Sequence, residues 1–414
     1  MKGGDMWEPV FDTMIRRLIQ TGHLQITYPD GRTQSYGDGS GPPVLLILHD
    51  PKILRALCLT PELALGEGYM NRQITIKNDA LGDLLRLVLR NRRPDAFPFW
   101  IRILDRARFA FRNLVQRNTA HSAKSNVAHH YDISDDLYRL FLDDDMQYSC
   151  AYFADDGMSL NDAQSAKKSH IAQKLLLSPG QQVLDIGCGW GGMALTLARD
   201  YGVKVTGVTL SENQLETART RVTQAGLSDR VTIRLMDYRD LTGPFDRIVS
   251  VGMLEHVGVP HYRDYFDKIS ALLAPDGVAL IHTIGRCGPP IAHSPWIHKY
   301  IFPGGYVPSM SELVPALERS GLWTCDIEVW RLHYAKTLRH WRNRFDAQID
   351  QVRALYDDRF VRMWRYYLTV CIMAFEEQQQ AVFQFQLSHQ RDAVPLTRDY
   401  LYSGHIPRLH HAAQ

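Results

Sequence analysis

One stretch constrains this chain more than any other: Val183-Leu184-Asp185-Ile186-Gly187-Cys188-Gly189-Trp190-Gly191-Gly192. It begins as an apolar, β-branched run, the pattern of a strand buried on both faces of a parallel sheet, and ends in glycines. The segment that follows, Met193-Ala194-Leu195-Thr196-Leu197-Ala198-Arg199, is helix-forming. A strand that breaks into a Gly-rich turn and then a helix is the nucleotide-binding end of a doubly wound α/β sheet. The glycines let the backbone approach a ligand closely and present amides to it. The spacing is Asp-x-Gly-x-Gly rather than Gly-x-Gly-x-x-Gly, and no P-loop lysine follows. A carboxylate just before the glycines would repel a pyrophosphate but suits a zwitterionic amino-acid tail. The motif therefore points to S-adenosylmethionine (SAM) rather than NAD or ATP.

With 414 residues, the chain has room for two domains or for one with an appendage. A formal net charge of +2 gives no global argument for nucleic acid. The start, Met1-Lys2-Gly3-Gly4-Asp5, leads into no signal-type apolar core, and no run of about 18 apolar residues occurs. The expectation is a cytoplasmic protein. Six cysteines lack Cys-x-x-Cys spacing and His-Glu-x-x-His is absent, so neither a disulfide framework nor a metal site is expected.

Residues 1–91 read as a small α+β domain: a helical pattern at Phe11, Met14, Ile15, Leu18 and Ile19, strands at 24–28 and 44–48, a short helix from Pro61 that Gly66-Glu67-Gly68 would end, and a further helix through Leu81, Leu84, Leu85, Leu87 and Val88. Residues 92–125 form a basic connector. Trp100, Ile103, Leu104, Ala107, Phe111, Leu114 and Val115 recur there at helical spacing, with Arg102, Arg106, Arg112 and Arg117 mostly off that stripe. Either this helix packs its stripe on a domain or it lies on an anionic membrane surface. Residues 126–395 form the catalytic domain, and 396–414 a tail. After the Gly-rich turn, strands are expected at 203–210, 231–238, 245–251 and 278–284, the last after the turn Pro275-Asp276-Gly277, with a helix at 212–225. Strands alternating with helices predict a parallel core that binds ligands at its C-terminal strand ends. Residues 309–390 read as largely helical, covering that end.

Four segments fall where a substrate should sit. Tyr148-Ser149-Cys150-Ala151-Tyr152-Phe153 precedes the sheet. Thr209-Leu210-Ser211-Glu212-Asn213-Gln214 ends the second strand, where a ribose is gripped, and Gln214 has an amide able to bond two hydroxyls. Met253-Leu254-Glu255-His256-Val257-Gly258 follows the fourth strand, and His282-Thr283-Ile284-Gly285 the fifth. These blocks, with Asp185-Ile186-Gly187-Cys188-Gly189-Trp190-Gly191-Gly192, resemble in order and spacing the cyclopropane-fatty-acyl-phospholipid synthase family, which includes the mycolic acid cyclopropane synthases. Lys299-Tyr300-Ile301-Phe302-Pro303-Gly304-Gly305, His333-Tyr334-Ala335-Lys336-Thr337-Leu338 and Tyr366-Tyr367-Leu368-Thr369-Val370-Cys371 extend the resemblance, which covers about residues 126–390. The N-terminal unit resembles the extra domain of the phospholipid-acting members.

The resemblance implies a doubly wound, mostly parallel seven-stranded class I SAM-methyltransferase sheet with a helical cover. It also implies methyl transfer from SAM to the cis double bond of a phospholipid acyl chain. The alkene is a weak nucleophile, so proximity, alignment and a dry pocket are needed. Removing a proton from the new methyl closes the ring, and in this family the base is a bound bicarbonate. By resemblance its holders are Cys150, Glu255, His282, Tyr334 and the main-chain carbonyl of Ile284. Cys371 corresponds to a cysteine often labelled catalytic, but the alkene route needs no thiol nucleophile and a core role is favoured. SAM would be held by Tyr148, Ser149, Asp185, Gly187, Cys188, Gly189, Thr209, Leu210, Ser211 and Gln214, with Asp237 and Tyr238 around the adenine. The implied partners are phospholipid acyl chains and, peripherally, a membrane surface; a homodimer is left open. The rival readings are a lipid methyltransferase giving a methyl-branched or methylene product, a small-molecule N-methyltransferase, and an inactive lipid-binding protein.

Overall fold

The computed structural model describes residues 6–93, 96–116 and 133–402. Two compact units emerge: residues 1–112, 291–303 and 338–379 form one, and residues 113–290, 304–337 and 380–414 the other. The expected boundary at 125/126, Arg117 and residues 403–414 of the tail lie outside the described residues.

The second unit is built on seven strands: β5 (Gln182–Ile186), β6 (Lys204–Thr209), β7 (Val231–Leu235), β8 (Phe245–Val251), β9 (Leu273–Arg286), β10 (Trp323–Trp330) and β11 (Gln380–Ser388). Their order is β10-β11-β9-β8-β5-β6-β7. The pairs from β7 through β9 are parallel, while β11 runs antiparallel to both β9 and β10. The order reverses between β5 and β8, which opens a crevice at the C-terminal strand ends. β5 shows why its sequence reads as it does: every residue after Gln182 is buried. The expected α/β sheet, its five located strands and its parallel core are all present. The helical reading of 309–390 is corrected in two places. β10 and β11 are strands, and the buried glutamines of β11 interrupt the apolar pattern that would have marked a core strand.

The first unit carries a four-stranded sheet ordered β2-β1-β3-β4, from β1 (Leu24–Thr27), β2 (Thr33–Tyr36), β3 (Val44–Leu48) and β4 (Ile74–Ile76). Segments 291–303 and 338–379, which a linear reading assigns to the catalytic domain, belong to this unit for identifiable reasons. Trp296 packs on Tyr366 with ring centroids 4.6 Å apart, and Arg86 bonds both Glu376 and Glu377. A second correction concerns Gly66 and Gly68. They do not end a helix; the helix Pro61–Met70 runs through both. A Cβ at Gly66 would lie 2.3 Å from the Trp296 ring and one at Gly68 2.7 Å from Ile74, so each glycine makes room for a neighbour.

Candidate active site

The cleft lies at the crevice between β5 and β8. Of the twelve residues expected to hold SAM, eleven line it: Tyr148, Ser149, Asp185, Gly187, Cys188, Gly189, Thr209, Leu210, Gln214, Asp237 and Tyr238. Ser211 instead caps the helix Glu212–Gln224, its hydroxyl accepting from the backbone N–H of Gln214. That places Gln214 on the first turn, where the Thr209 hydroxyl donates to its Oε1 at 2.9 Å. Its amide hydrogens remain available to a hydroxyl-bearing ligand.

The turn after β5 takes left-handed backbone at Gly187 (φ 78°), Gly189 (φ 53°) and Gly191 (φ 82°), a region that penalises other residues. The amides of Gly187 and Cys188 both donate to the Val208 carbonyl at 3.0 Å, which pins the turn to β6. Asp185, 2% exposed, has an Oδ2 without a hydrogen-bond partner among the described residues. Burial pushes its carboxyl up to about 7 against the charge of Lys167. A buried carboxylate with an open oxygen at the cleft wall is a site for a cationic group, since an unmatched buried charge is costly.

Residues outside the sequence expectation brace this cleft. Lys167 is fully buried and donates to Gln147 Oε1 at 2.7 Å and to Ser149 Oγ at 2.8 Å. Burial brings its ammonium down to about 8. Asp135 accepts from Trp190 Nε1, Asn213 Nδ2 and Thr217 Oγ1, tying the Gly-rich turn to the helix Glu212–Gln224 that follows β6. Asp145 pairs with Lys168 and Arg221, and a Cβ at Gly192 would lie 2.4 Å from its Oδ2. No local pattern marks Lys167 as buried: its spacing of seven from Lys174 on one helix is equally that of two solvated lysines.

The catalytic candidates form two groups within the second unit. Glu255 lies in the one-turn helix Leu254–His256 just after β8, and its Oε1 accepts from the Ile284 amide at 2.6 Å. Its Oε2 has no partner among the described residues, and burial pushes the carboxyl up to about 7 against that bond. His282 and Ile284 alternate along β9. The ring of His282 packs edge-on against Trp330 at 5.2 Å, and its Nδ1 faces the Gln384 amide at 3.0 Å. Burial, then the charges of Lys167 and Lys174, drives His282 well below the usual histidine range, so the ring is neutral. The Ile284 carbonyl accepts from the Thr283 hydroxyl at 3.1 Å and retains a second lone pair.

Cys150 and Tyr334 make the other group. Cys150 is completely buried, and burial raises its thiol well above the usual range, so it is not a thiolate nucleophile. The next amide, Ala151 N–H, donates to Thr337 Oγ1 at 3.0 Å, one helical turn beyond Tyr334. Cys371 belongs to the first unit, on the helix Asp358–Glu377, and burial pushes its thiol up to about 12.

The model of the family described as mycolic acid cyclopropane synthetase matches residues 118–385, and a domain of unknown function (DUF7884) matches residues 10–95. The cyclopropane-fatty-acyl-phospholipid synthase of Escherichia coli K12 is 39% identical over 85% of this chain and 89% of its own length. A probable fatty acid methyltransferase of Pseudomonas putida is 34% identical over 87% and 90%. The crystal structure of mycolic acid cyclopropane synthase CmaA1, complexed with SAH and CTAB, superposes with a TM-score of 0.61 at 36% identity, covering 64% of this chain and 97% of that one. With its family model spanning well over half of its length, the chain belongs to the mycolic acid cyclopropane synthetase family.

Proposed function

We propose that this chain is a SAM-dependent cyclopropane synthase acting on cis-unsaturated acyl chains of phospholipids. The observation that carries the reading is a pair of buried carboxyls with open oxygens, Asp185 at the cleft and Glu255 beside β9. Likeness to the E. coli phospholipid enzyme over 85% of the chain supports the substrate class, and the SAH in the CmaA1 structure supports the methyl donor. Asp185 would take the ammonium of SAM, the Gly187 to Gly189 turn its methionine backbone, Gln214 its ribose, and Asp237 with Tyr238 its adenine. When bound, SAM supplies an electrophilic methyl to the alkene carbon.

Ring closure needs a proton acceptor that is not itself methylated. The cage residues suit bicarbonate: a neutral imidazole, a phenol, a thiol and a carboxyl near half-protonation at pH 7 can all donate to an anion. When bound there, bicarbonate supplies the base for the new methyl. The test is purified protein with SAM and vesicles of cis-monounsaturated phosphatidylethanolamine and phosphatidylglycerol. Expected is a gain of one CH₂ per chain, with upfield cyclopropane protons by NMR. A branched product would move the chain to the rival lipid methyltransferase reading. Turnover should fall in CO₂-stripped buffer and return with added bicarbonate; turnover indifferent to it would remove the cage.

Acyl chains lie inside bilayers, so a membrane contact is also proposed, on the helix Phe99–Ala110 and the residues just after it. Part of its apolar stripe is open: Ile103 and Phe111 are 57% and 60% exposed, as is the neighbouring Phe99 at 62%, while Trp100 donates its indole N–H to the Cys58 carbonyl and Ile101 is buried. Arg102 and Arg106 are exposed beside them, and Arg112 stacks on Phe109. Among the described residues no helix is long and apolar enough to cross a membrane. Reversing Arg102, Arg106 and Arg112 to Glu should weaken binding to anionic vesicles on the order of a hundredfold at low salt, about 1 kcal/mol per residue, with SAM affinity intact. Unchanged vesicle binding by the folded variant would make this helix structural.

A further inference from the structure

A row of polar side chains crosses three strands beside the proposed cage. Glu328 on β10 is the register partner of Gln384 on β11, and Gln384 is the register partner of His282 on β9. In-register neighbours on adjacent strands project to the same face, so the three side chains lie side by side. Over them lies the helix Leu160–Leu175, which contributes His170 and Lys174. Lys174, with no exposed side-chain surface, pairs with Glu328 and donates to Gln384 Oε1 at 3.0 Å. His170 Nε2 lies 2.8 Å from the same Glu328 oxygen.

Donor chemistry fixes every bond in this row. Burial raises the Glu328 carboxyl, but His170 and Lys174 more than offset it and hold it well below the usual range, so it is ionised. The Lys174 ammonium facing it can only donate, so the Gln384 atom it meets is the amide oxygen. The NH₂ of Gln384 therefore points at His282. An amide nitrogen cannot accept, so His282 Nδ1 at 3.0 Å carries no proton and accepts.

We infer that Gln384, oriented by Lys174 and Glu328, is a positioning residue that locks His282 in the Nε2–H tautomer. His282 then presents a neutral N–H donor to the proton-acceptor site. An imidazolium would set an Nδ1 proton against the Gln384 NH₂, so the lock also opposes protonation. The inference rests on the proposed role of His282 in the anion cage, but the tautomer itself can be read without turnover. Buried orienting partners of working histidines are commonly decisive: their loss costs about 10- to 100-fold at metal-ligating histidines.

The test is ¹⁵N-histidine NMR of the full-length protein at pH 7, with His282 assigned by its absence in His282→Gln. Expected is a neutral ring with its proton on Nε2. An Nδ1–H tautomer or an imidazolium would overturn the inference. Should His282→Gln not fold, neutron diffraction from the unsubstituted protein locates the same proton. Gln384→Glu replaces the donor with an acceptor and should transfer the proton to Nδ1 or charge the ring, lowering kcat about 10- to 100-fold with SAM affinity unchanged. Lys174→Met, which frees the amide to turn, should give a mixture of tautomers. If Gln384→Glu folds and keeps both the Nε2–H signature and full kcat, Gln384 is not a lock. Failure of the bicarbonate reading would appear separately, as turnover indifferent to bicarbonate with the tautomer still Nε2–H.

Discussion

Asp185 and Glu255 are two buried carboxyls at neighbouring strand ends, each with an oxygen that bonds to nothing described, and burial pushes both up to about 7. What opposes that push differs. At Asp185 it is the full positive charge of Lys167; at Glu255 it is neutral donors, first the Ile284 amide, then its own amide and, more weakly, the Thr283 hydroxyl. Asp185 stays largely protonated below pH 7 despite that cation, and a ligand ammonium at its open oxygen would draw it to the ionised form. Glu255, among neutral groups, holds its proton about as readily and can donate it to an anion. Equal burial gives like titration, and the proposed division between a SAM cleft and a proton-acceptor site rests on which charges each carboxyl faces.

The largest effect that could break this comparison is at Glu255. Glu255→Ala should lower kcat about 10²- to 10⁴-fold, the range of a lost proton-transfer partner, while SAM affinity by calorimetry stays within a few-fold. Glu255→Gln keeps a donor for the anion and should lose less. Equal loss of SAM affinity would mean that the two carboxyls serve one ligand. Asp185→Asn should do the reverse. Losing a charge-assisted bond of about 1.5–3 kcal/mol weakens SAM binding roughly 10- to 100-fold, while turnover at saturating SAM keeps its response to bicarbonate. A smaller effect is expected from Gly189→Val. Nothing lies within 4 Å of a Cβ there, so the fold has space for it, but φ of +53° strains a branched residue and the side chain crowds the ligand's approach. Full SAM affinity in that variant would free the turn from its assigned role.

The same contrast explains what the sequence could disclose. The cleft proposed for SAM was legible as a cleft because one local motif, a strand running into glycines, fixes both the backbone path and the face that opens at the strand ends. Eleven of its twelve expected residues line the cleft for that reason. The bracing around it was not, because Lys167, Asp135 and Gln384 act across gaps of 18 to 102 residues that no local pattern spans. The strands β10 and β11 were missed for a related reason: Gln384 and Gln386 are completely buried, satisfied by Lys174 and its carbonyl rather than by solvent. Glycine misled at Gly66, where a residue expected to stop a helix instead admits the ring of Trp296.

The most direct test of the carboxyl assignment is proton release on SAM binding, measured by calorimetry at pH 6 in buffers of different ionisation enthalpy. With a folded-state value near 7, Asp185 is mostly protonated at pH 6, and a ligand ammonium draws it to the ionised form. Affinity should therefore rise with pH below 7, approaching tenfold per unit, and binding should release close to one proton. The expected result is that Asp185→Asn abolishes this release and Glu255→Gln leaves it in place. Release that survives Asp185→Asn and disappears in Glu255→Gln would contradict the assignment of the two carboxyls.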